Sequence, residues 1–575
     1  MKSLPLICIF ILLTSSAYAQ SYAPLALFGT DACGRTMPYE SEVREFKQDR
    51  YVGVFYFLWL KLDKVFDNSQ ILKNDPMARF KNTSPPWGPF HAFHFWGEPM
   101  YGYYRSDDPW VLRRHASLLS DAGVDFLVFD TTNALVYENV VNQLCRVFEE
   151  QRRQGEHVPQ ITFMVNSSAG ETAQKIYESW YEPGFYPDLW FYWKDKPLLI
   201  CDPDKANNTT KNFFTLRKAH WPFTLVNTKN AWHWESTYPQ VYSYDEDPSK
   251  PEQVNVSVGQ NLHQDTGKVE MMSTGEARGR SFHNSKVDVR PNAYNYGFNF
   301  EEQWQRAFDL DPEVVFVTGW NEWIAMQLNQ NDGPAVFCDQ YNLEFSRDVE
   351  MDKYGYTDNY YMQMAANIRR YKGMKKNTTH PVDNTIDVNK PFTQWDAVQT
   401  AYFDHALDTL ARDYPGCGEY HYTVTSGRND FHLLKVTQDQ QNLYFYAQAV
   451  NEIIPATKPS GMWLLIDNRD VSLPDWEGFN FIVNRKEMEE DSASIEICTG
   501  GWNWSSIGNA SYRVHENKIH IVIPKDVLNI SSNHTRIEFK WIDNMQEPGN
   551  ILDLYTNGDA APGGRFRYRF EALSD

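Results

Sequence analysis

The stretch Val314-Val315-Phe316-Val317-Thr318-Gly319-Trp320-Asn321-Glu322-Trp323 decides the fold of this chain. Its first four residues are apolar, three of them β-branched, which is typical of a strand buried on both faces. The chain then turns at Gly319 into polar and aromatic side chains that can face a ligand. A carboxylate just past such a strand lies where parallel barrels place reactive groups, although the same residue types also serve structure there.

The same sequence pattern repeats along residues 50–373, where apolar strands alternate with amphipathic helices and each strand ends in polar groups. This alternation predicts an α/β fold, a (β/α)8 TIM-type barrel with long loops, over residues 20–374. Besides the central stretch, we place strands at 51–59, 124–130, 161–165, 197–201, 223–226 and 254–258. We place helices after Asp108 and at 138–153, 173–180, 299–309 and 356–371.

The second half of the chain follows a different pattern. Residues 375–390 are polar and lack periodicity, which indicates a linker. Beyond them, short alternating stretches are separated by Gly, Pro, Asn and Asp turns, which predicts an all-β sandwich over 391–575. Its strands are expected at 443–447, 463–466, 479–483, 494–497, 519–523 and 536–541.

The N-terminus has the features of a secretory signal peptide. Lys2 precedes an apolar run from Leu4 to Leu13, and small residues then end at Ala19, where cleavage is expected. No later apolar segment is long enough to cross a bilayer. We therefore expect residues 1–19 to be removed and the mature chain to be secreted and extracellular, with no membrane anchor.

Sequons and cysteines fit an extracellular protein. Six cysteines follow the signal peptide, and their wide spacing excludes a zinc ribbon and allows up to three disulfides of unknown pairing. Ten Asn-X-Ser/Thr sequons predict several glycans. The sequon asparagines are Asn82, Asn166, Asn207, Asn208, Asn255, Asn377, Asn503, Asn509, Asn529 and Asn533.

The net charge and the aromatic content limit the classes of molecule that the protein is expected to bind. The net charge of −21 argues against nucleic acid or an acidic membrane surface as a partner. Aromatic residues make up 15% of the chain, with 19 Trp and 33 Tyr, more than an ordinary core needs. Because sugars stack on such rings, we expect an oligo- or polysaccharide partner, although aromatic-rich cores also occur. The oligomeric state stays open.

Several motifs of the first half resemble the glycoside hydrolase family 71 and 99 group, including its WbsX-like relatives. The resemblance covers about residues 50–373, and its most specific element is Asn321-Glu322-Trp323 after an apolar strand. It implies that Glu322 deprotonates the 2-hydroxyl of the substrate, forming a 1,2-anhydro sugar. The supporting motifs are Tyr56-Phe57-Leu58-Trp59, Gly102-Tyr103-Tyr104, Ala122-Gly123-Val124-Asp125-Phe126 and Phe129-Asp130-Thr131-Thr132-Asn133.

The general acid of this family lies three residues after the catalytic Glu, where this chain has Ala325. Alanine cannot transfer a proton, so another residue must supply the acid or the chain has lost hydrolysis. We favour Asp130, which should face Glu322 across the barrel mouth. If it does not, Glu235 or Asp339 should take the role.

Further residues at strand ends and on long loops are expected to bind substrate. Arg278 lies in a Gly-flanked loop, residues 278–284, that would suit an acidic sugar or, alternatively, neutralise nearby acidic loops. His91 and His94 lack a third metal ligand at recognisable spacing, so we expect neither a metal nor a cofactor. The binding candidates are Trp59, His94, Trp96, Glu98, Tyr103, Asn133, Asp202, Trp232, Glu235, Arg278, Asn321, Trp323 and Asp339.

The C-terminal domain resembles the family 9 carbohydrate-binding-module-like sandwich in the segments 463–469, 476–480 and 483–485. Taken together, the sequence predicts a secreted glycoside hydrolase that acts through Glu322 on a complex glycan, with an acidic glycan as one option. Two alternatives remain. The first is a non-catalytic glycan-binding or extracellular interaction protein on a hydrolase scaffold, which Ala325 favours. The second is a polysaccharide lyase.

Overall fold

A computed structural model describes residues 27–220, 225–329, 333–375, 381–454, 461–486, 491–531 and 534–573. The predicted signal peptide lies outside this described part of the chain, as do the sequons at Asn377 and Asn533. The described residues form a nearly closed barrel of parallel strands, followed by a region rich in antiparallel sheet.

The barrel strands are buried because they are rich in apolar and β-branched side chains. In the sheet, the parallel neighbours run in the order β7, β8, β1, β2, β3, β4, β5, β6. The strands are β1 (Tyr51–Tyr56), β2 (Phe126–Thr131), β3 (Gln160–Val165), β4 (Lys196–Ile200), β5 (Thr215–His220), β6 (Ala231–His233), β7 (Gln253–Val256) and β8 (Val314–Val317).

A side chain bridges the remaining gap between β6 and β7. The amide of Gln253 accepts a hydrogen bond from the backbone N–H of His233 at 2.8 Å and donates one to its carbonyl at 2.9 Å. The side chain of Gln253 thus makes the two hydrogen bonds that a backbone residue of a neighbouring strand would make. The barrel is closed between β6 and β7 by this buried amide, whose donor and acceptor both have partners.

The fifth strand differs from the prediction. It is Thr215–His220, whereas Leu225 and Val226 are exposed and residues 223–224 lie outside the described part. The prediction followed apolar residues, but the real strand carries a buried Arg217. That charge is tolerated because Glu252 accepts two hydrogen bonds from the Arg217 guanidinium, at 2.6 and 2.8 Å.

Helices cover the outside of the barrel. Asp108 caps α2 by accepting hydrogen bonds from the backbone N–H groups of Trp110 and Val111, and a proline opens the helix as predicted. No described helix lies between β5 and β6 or between β6 and β7, so the expected pattern of one helix per strand does not hold there. The helices are α1 (Asn68–Asn74), α2 (Pro109–Asp121), α3 (Glu138–Arg153), α4 (Ala169–Ile176), α5 (Asn208–Phe213), α6 (Phe298–Leu310) and α7 (Asn359–Lys372).

The second region is an all-antiparallel sheet of eleven strands in the order β9, β10, β11, β16, β15, β14, β13, β12, β17, β18, with β19 beside β17. The sheet folds over on itself, as the contact between Phe445 of β11 and Phe539 of β17 shows. Their rings meet edge-on with 5.6 Å between the ring centroids. The strands are β9 (Ala401–Phe403), β10 (Phe431–Gln438), β11 (Asn442–Ala449), β12 (Met462–Asp467), β13 (Phe481–Val483), β14 (Ser492–Gly500), β15 (Asn503–His515), β16 (Lys518–Pro524), β17 (His534–Asp543), β18 (Asp559–Ala561) and β19 (Tyr568–Leu573).

The loops that connect the main strands contain short strands of their own, most of them in pairs. Phe93–Phe95 pairs with Ile324–Met326 just past the central motif, so the loop after β1 is tied to the exit of β8. The other short strands are Tyr192–Trp193, Thr228–Lys229, Tyr242–Tyr244, Gln260–His263, Ala277–Arg278, Phe282–His283, Lys286–Val287, Arg412–Pro415 and His421–Val424.

Ionic contacts join the two regions. Arg412 binds Asp108, the cap of α2, at 2.8 Å, and Arg114 of α2 binds Asp408 at 2.9 Å. Both carboxylates are buried, so these pairs are shielded from salt and specify how the domains dock.

The structure corrects the disulfide prediction. All six cysteines after the signal peptide are free thiols. The sequon residue Asn255 is fully buried within β7, so that sequon is not exposed in the folded chain. None of the described helices is long and apolar enough to span a bilayer.

Candidate functional site

The turn after β8 presents Glu322 at the carboxyl end of the barrel. Gly319 has φ of +100°, and a Cβ there would lie 2.7 Å from the carbonyl oxygen of Arg347. Only glycine fits this close approach. Asn321 then clamps the turn to β1, accepting from the Phe57 N–H at 2.8 Å and donating to its carbonyl at 3.2 Å. Asn321, predicted to bind substrate, is therefore occupied by backbone contacts.

Glu322 is buried and held by three groups. Arg347 donates to its Oε2 at 2.6 Å, and the Gln340 amide donates to the same oxygen at 2.8 Å. Its backbone N–H donates to Asp348 at 2.6 Å. No described residue donates a hydrogen bond to Oε1 of Glu322.

Arg347 also reaches Glu235, which follows β6. Its Nη1 lies 3.2 Å from Oε2 of Glu235, and its guanidinium lies over the Trp234 ring at 4.4 Å from the centroid. The aromatic face and the two carboxylates surround the cation on several sides. A single arginine thus joins carboxylates from two different strand ends.

Asp339 and Asp130 extend the cluster. Asp339 lies 3.6 Å from Nη2 of Arg347, and its side chain is 45% exposed, so this side of the cluster faces solvent. Asp130, at the end of β2, accepts hydrogen bonds from Thr132 at 2.7 Å and from the Trp59 indole at 3.3 Å. Asp130 is buried, and Asp339 is among the charges that act on it.

Burial, and to a lesser degree the neighbouring carboxylates, raises the pKa values of the carboxyl groups in this cluster. Burial raises the pKa of Glu235 to about 7, with Arg347 opposing and Asp339 adding to the rise. Burial also raises the pKa of Glu322, again against Arg347 and with Asp339 and Asp348 adding to it. For Asp130, burial raises the pKa while hydrogen bonds from Thr132 and Trp59 oppose the shift. The cluster can therefore hold a proton near neutral pH.

Two tryptophans that were predicted to bind sugar, Trp96 and Trp323, are instead buried and hold the residues that position Glu322. Trp96 and Trp323 stack at 4.5 Å between centroids and are fully buried. Their N–H groups donate to Asp348 at 3.1 Å and to Glu350 at 2.5 Å, respectively. Since Asp348 holds the Glu322 backbone, this stack positions the turn.

The remaining candidates lie outside the carboxylate cluster. His94 is buried between Phe66 and Phe337, and burial lowers its pKa to about 3. Arg278 donates to the Gln264 carbonyl. The other partners are Lys353 for Glu98, Asp67 for Tyr103, Tyr137 for Asn133, Lys218 for Asp202 and Glu252 for Trp232.

The second arginine of the Arg278 loop, Arg280, has a structural role. Arg280 is fully buried, donates to Ser346 and to the Asp348 carbonyl at 2.6 Å, and lies over the Tyr356 ring. It therefore fixes the segment that carries Arg347 and Asp348 rather than facing a ligand.

Sequence analysis missed Arg347 and Gln340. Both lie in the long segment between β8 and α7, which has no helical or strand period. The local signal is the single basic residue Arg347 in a segment with four acidic residues, Glu344, Asp348, Glu350 and Asp352. Such a charged segment usually marks a solvated loop, so burial of the arginine was not predictable from it.

No protein-family model and no curated protein matches the chain. The chain is similar to two solved structures of the GH99 endo-alpha-mannosidase from Bacteroides thetaiotaomicron, one of them in complex with bis-tris-propane. The identities are 14% and 13%, each match covers 56% of this chain and 98% of that chain, and each TM-score is 0.32. Similarity at this level is too low to assign an activity.

Proposed function

We propose that the protein is a glycoside hydrolase that acts on an oligo- or polysaccharide, with Glu322 as its principal catalytic carboxylate. The observation that carries this proposal is the sharing of one buried guanidinium, that of Arg347, by Glu322 and Glu235. We further propose that the chain is secreted, on the basis of residues 1–19.

The geometry suits cleavage of a glycosidic bond by two carboxyl groups. Because both glutamates contact nitrogens of the same guanidinium, their Oε2 atoms lie no more than about 8 Å apart, below the upper limit of about 9.5 Å for such pairs. The free Oε1 of Glu322 can accept the proton of a substrate hydroxyl, as the resemblance implies.

The two glutamates differ in their protonation. Glu322 has the closer contact to Arg347 and an additional donor in Gln340, and both favour its charged form. Glu235 has the longer, 3.2 Å contact to Arg347 and a backbone hydrogen bond from Asn261. Burial raises the pKa of both glutamates, so their contacts with Arg347 and Gln340 are what distinguish them. On these contacts we infer that Glu322 carries the charge and Glu235 the proton, which makes Glu235 the proton donor to the leaving group.

Asp130 remains the competing donor that the sequence favours, since it is buried and its pKa is raised. That it faces Glu322 across the mouth stays a prediction. Glu235→Gln and Asp130→Asn separate the two assignments. The variant that removes the acid should lose most of its kcat on substrates with poor leaving groups and much less on activated aryl glycosides, which need little protonation.

The charge of the cluster favours a neutral sugar at the reacting position. Three carboxyl groups, those of Glu235, Glu322 and Asp339, face one arginine there. Arg278, which could have bound an acidic sugar, donates to the Gln264 carbonyl instead. A uronic acid next to Glu322 would add like charge.

The test is a panel of neutral and uronic polysaccharides incubated with the wild-type protein and with Glu322→Gln, with reducing sugar measured. We expect release by the wild type from a neutral glycan and loss of release in the variant. Equal release by both proteins would remove Glu322 from the mechanism. Products absorbing in the ultraviolet would identify a lyase instead.

A non-catalytic glycan-binding protein is the second candidate, and Ala325 favours it. The Ala325 side chain is buried in an apolar cluster with Trp87 and Phe337, so the family position for the acid is filled by packing. Binding of a panel glycan by calorimetry, without release of sugar under any condition tested, would support this candidate.

A further inference from the structure

Three carboxylates converge where the antiparallel sheet meets the barrel, far in sequence from Glu322. Asp408 lies in the loop after β9, Asp430 directly precedes β10, and Asp559 begins β18. Each offers an oxygen, and these oxygens all lie within 4.8 Å of one another. All three side chains are buried. Three segments of the chain thus place acidic groups around one point in the interior.

The acidic groups are not satisfied by hydrogen bonds alone. Oδ1 of Asp408 and Oδ1 of Asp430 are buried, and no described residue is their hydrogen-bond partner. A fourth carboxyl, that of Asp404, is also more than nine-tenths buried, and its Oδ2 has no partner. Native proteins seldom leave a buried carboxylate oxygen without a partner, so such oxygens point to a ligand.

Asp404 belongs to the same electrostatic group. Burial raises its pKa, and Asp408 and Asp430 raise it further, although His405 opposes them. Burial likewise raises the pKa of Asp430 to about 7 and that of Asp559, with Asp408 adding to both. The four carboxyl groups thus lie close enough to act on one another electrostatically.

Nearby cations do not balance this charge. Arg114 binds Asp408 at 2.9 Å, and His405 is shared by Asp121 and Glu156, at 2.9 Å each. Lys540 is also buried close to Asp404 and Asp559, and burial lowers its pKa to about 7. These three cations face six carboxyl groups, those of Asp121, Glu156, Asp404, Asp408, Asp430 and Asp559.

We propose that Asp408, Asp430 and Asp559 bind a calcium ion that ties the antiparallel region together and, through Asp408 and Arg114, to the barrel. The donor set is all oxygen, which suits a hard cation. Oxygens within 4.8 Å of one another can surround one ion at the calcium–oxygen distance of about 2.3 to 2.6 Å. Backbone carbonyls and water would complete the coordination.

The site predicts a calcium-dependent stability that is separate from activity. The full chain is stripped with a chelator, and the bound metal is counted by elemental analysis after calcium is returned. We expect one calcium per chain, and a rise in Tm of about 5 °C or more when free calcium is about 100-fold above its Kd. The same shift with sodium at equal ionic strength would indicate screening and overturn the proposal.

Asp430→Asn and Asp559→Asn should abolish the calcium-induced shift. Because each removes one of the mutually repelling carboxylates, the metal-free variants should be at least as stable as the metal-free wild type. The matched control is Asp467→Asn, which changes another buried aspartate of this region that is paired with Arg567 and Arg469.

The control should be destabilised and yet keep the full calcium shift. If either ligand variant fails to fold, the calcium-induced shift in Tm of Asp408→Asn and the metal count on the wild type still test whether calcium binds at this site. A wild-type chain without bound calcium, or an equal shift in a ligand variant and in the control, would show that the acids share protons instead of an ion.

Discussion

Arg347 and Glu322 form a buried ion pair at 2.6 Å, and the loop that carries Arg347 passes so close to the turn before Glu322 that only glycine fits at position 319. The pair therefore depends on backbone shape as well as on charge. Since the same arginine also holds Glu235, a change at any of these three groups should alter the charge of the other two.

Replacement of Glu322 tests the chemistry directly. Glu322→Gln keeps the size of the side chain and removes the base, so kcat on the substrate found in the panel should fall by about 10² to 10⁴-fold. Glu178→Gln is the matched control, because Glu178 is exposed on the outside of the barrel. A variant with more than half of the wild-type kcat would rule out the assignment.

Replacement of Arg347 tests the electrostatics. Arg347→Ala leaves Glu322 and Glu235 buried without their cation, which should lower the free energy of unfolding by about 3 to 5 kcal/mol at pH 7.5. The loss should be smaller at pH 5, where both carboxyls can take up protons. Urea denaturation at the two pH values measures this. Arg290→Ala, which breaks a pair with Asp288 near the surface, should lower the free energy of unfolding much less.

The raised pKa of Glu235 predicts a pH dependence of stability. Its pKa in the folded chain, about 7, lies above the ordinary value of 4.5, so the folded state binds the proton more tightly than the unfolded state does. The contribution of Glu235 to stability is therefore present below about pH 4.5 and is lost as the pH rises toward 7. Glu235→Gln should decline less over this range. Parallel pH profiles for the variant and the wild type would contradict the shift.

Introducing a glutamate at position 325, where the glycoside hydrolase group that the sequence resembles has its general acid, should not create activity. Ala325→Glu would bury a carboxyl group among Trp87, Phe337 and Ala335, at a cost of several kcal/mol. We expect a large drop in Tm and no gain in activity. Ala325→Met, of similar volume but apolar, separates the cost of size from that of charge and should be the less damaging change. A stable and active Ala325→Glu variant would show that this pocket opens.

Much of the architecture followed from local patterns. The bounds of α3 were predicted to the residue, and the antiparallel character of the second region was confirmed because turn residues and period-two alternation are local features. The strand at 223–226 was wrong, since the real β5 is polar and depends on Glu252 to neutralise Arg217. The disulfide prediction was wrong because spacing along the chain does not report distance in space.

By itself, the sequence determined that a carboxylate, Glu322, follows a buried strand and a glycine turn, because burial and turn conformation are encoded by neighbouring residues. Only the tertiary structure decided which charges meet it. Arg347 and Glu235 come from other parts of the chain, 25 residues later and 87 residues earlier in the numbering. Any of the 54 basic side chains could neutralise a glutamate, and the path of the loop, which no local pattern encodes, selects the one that does.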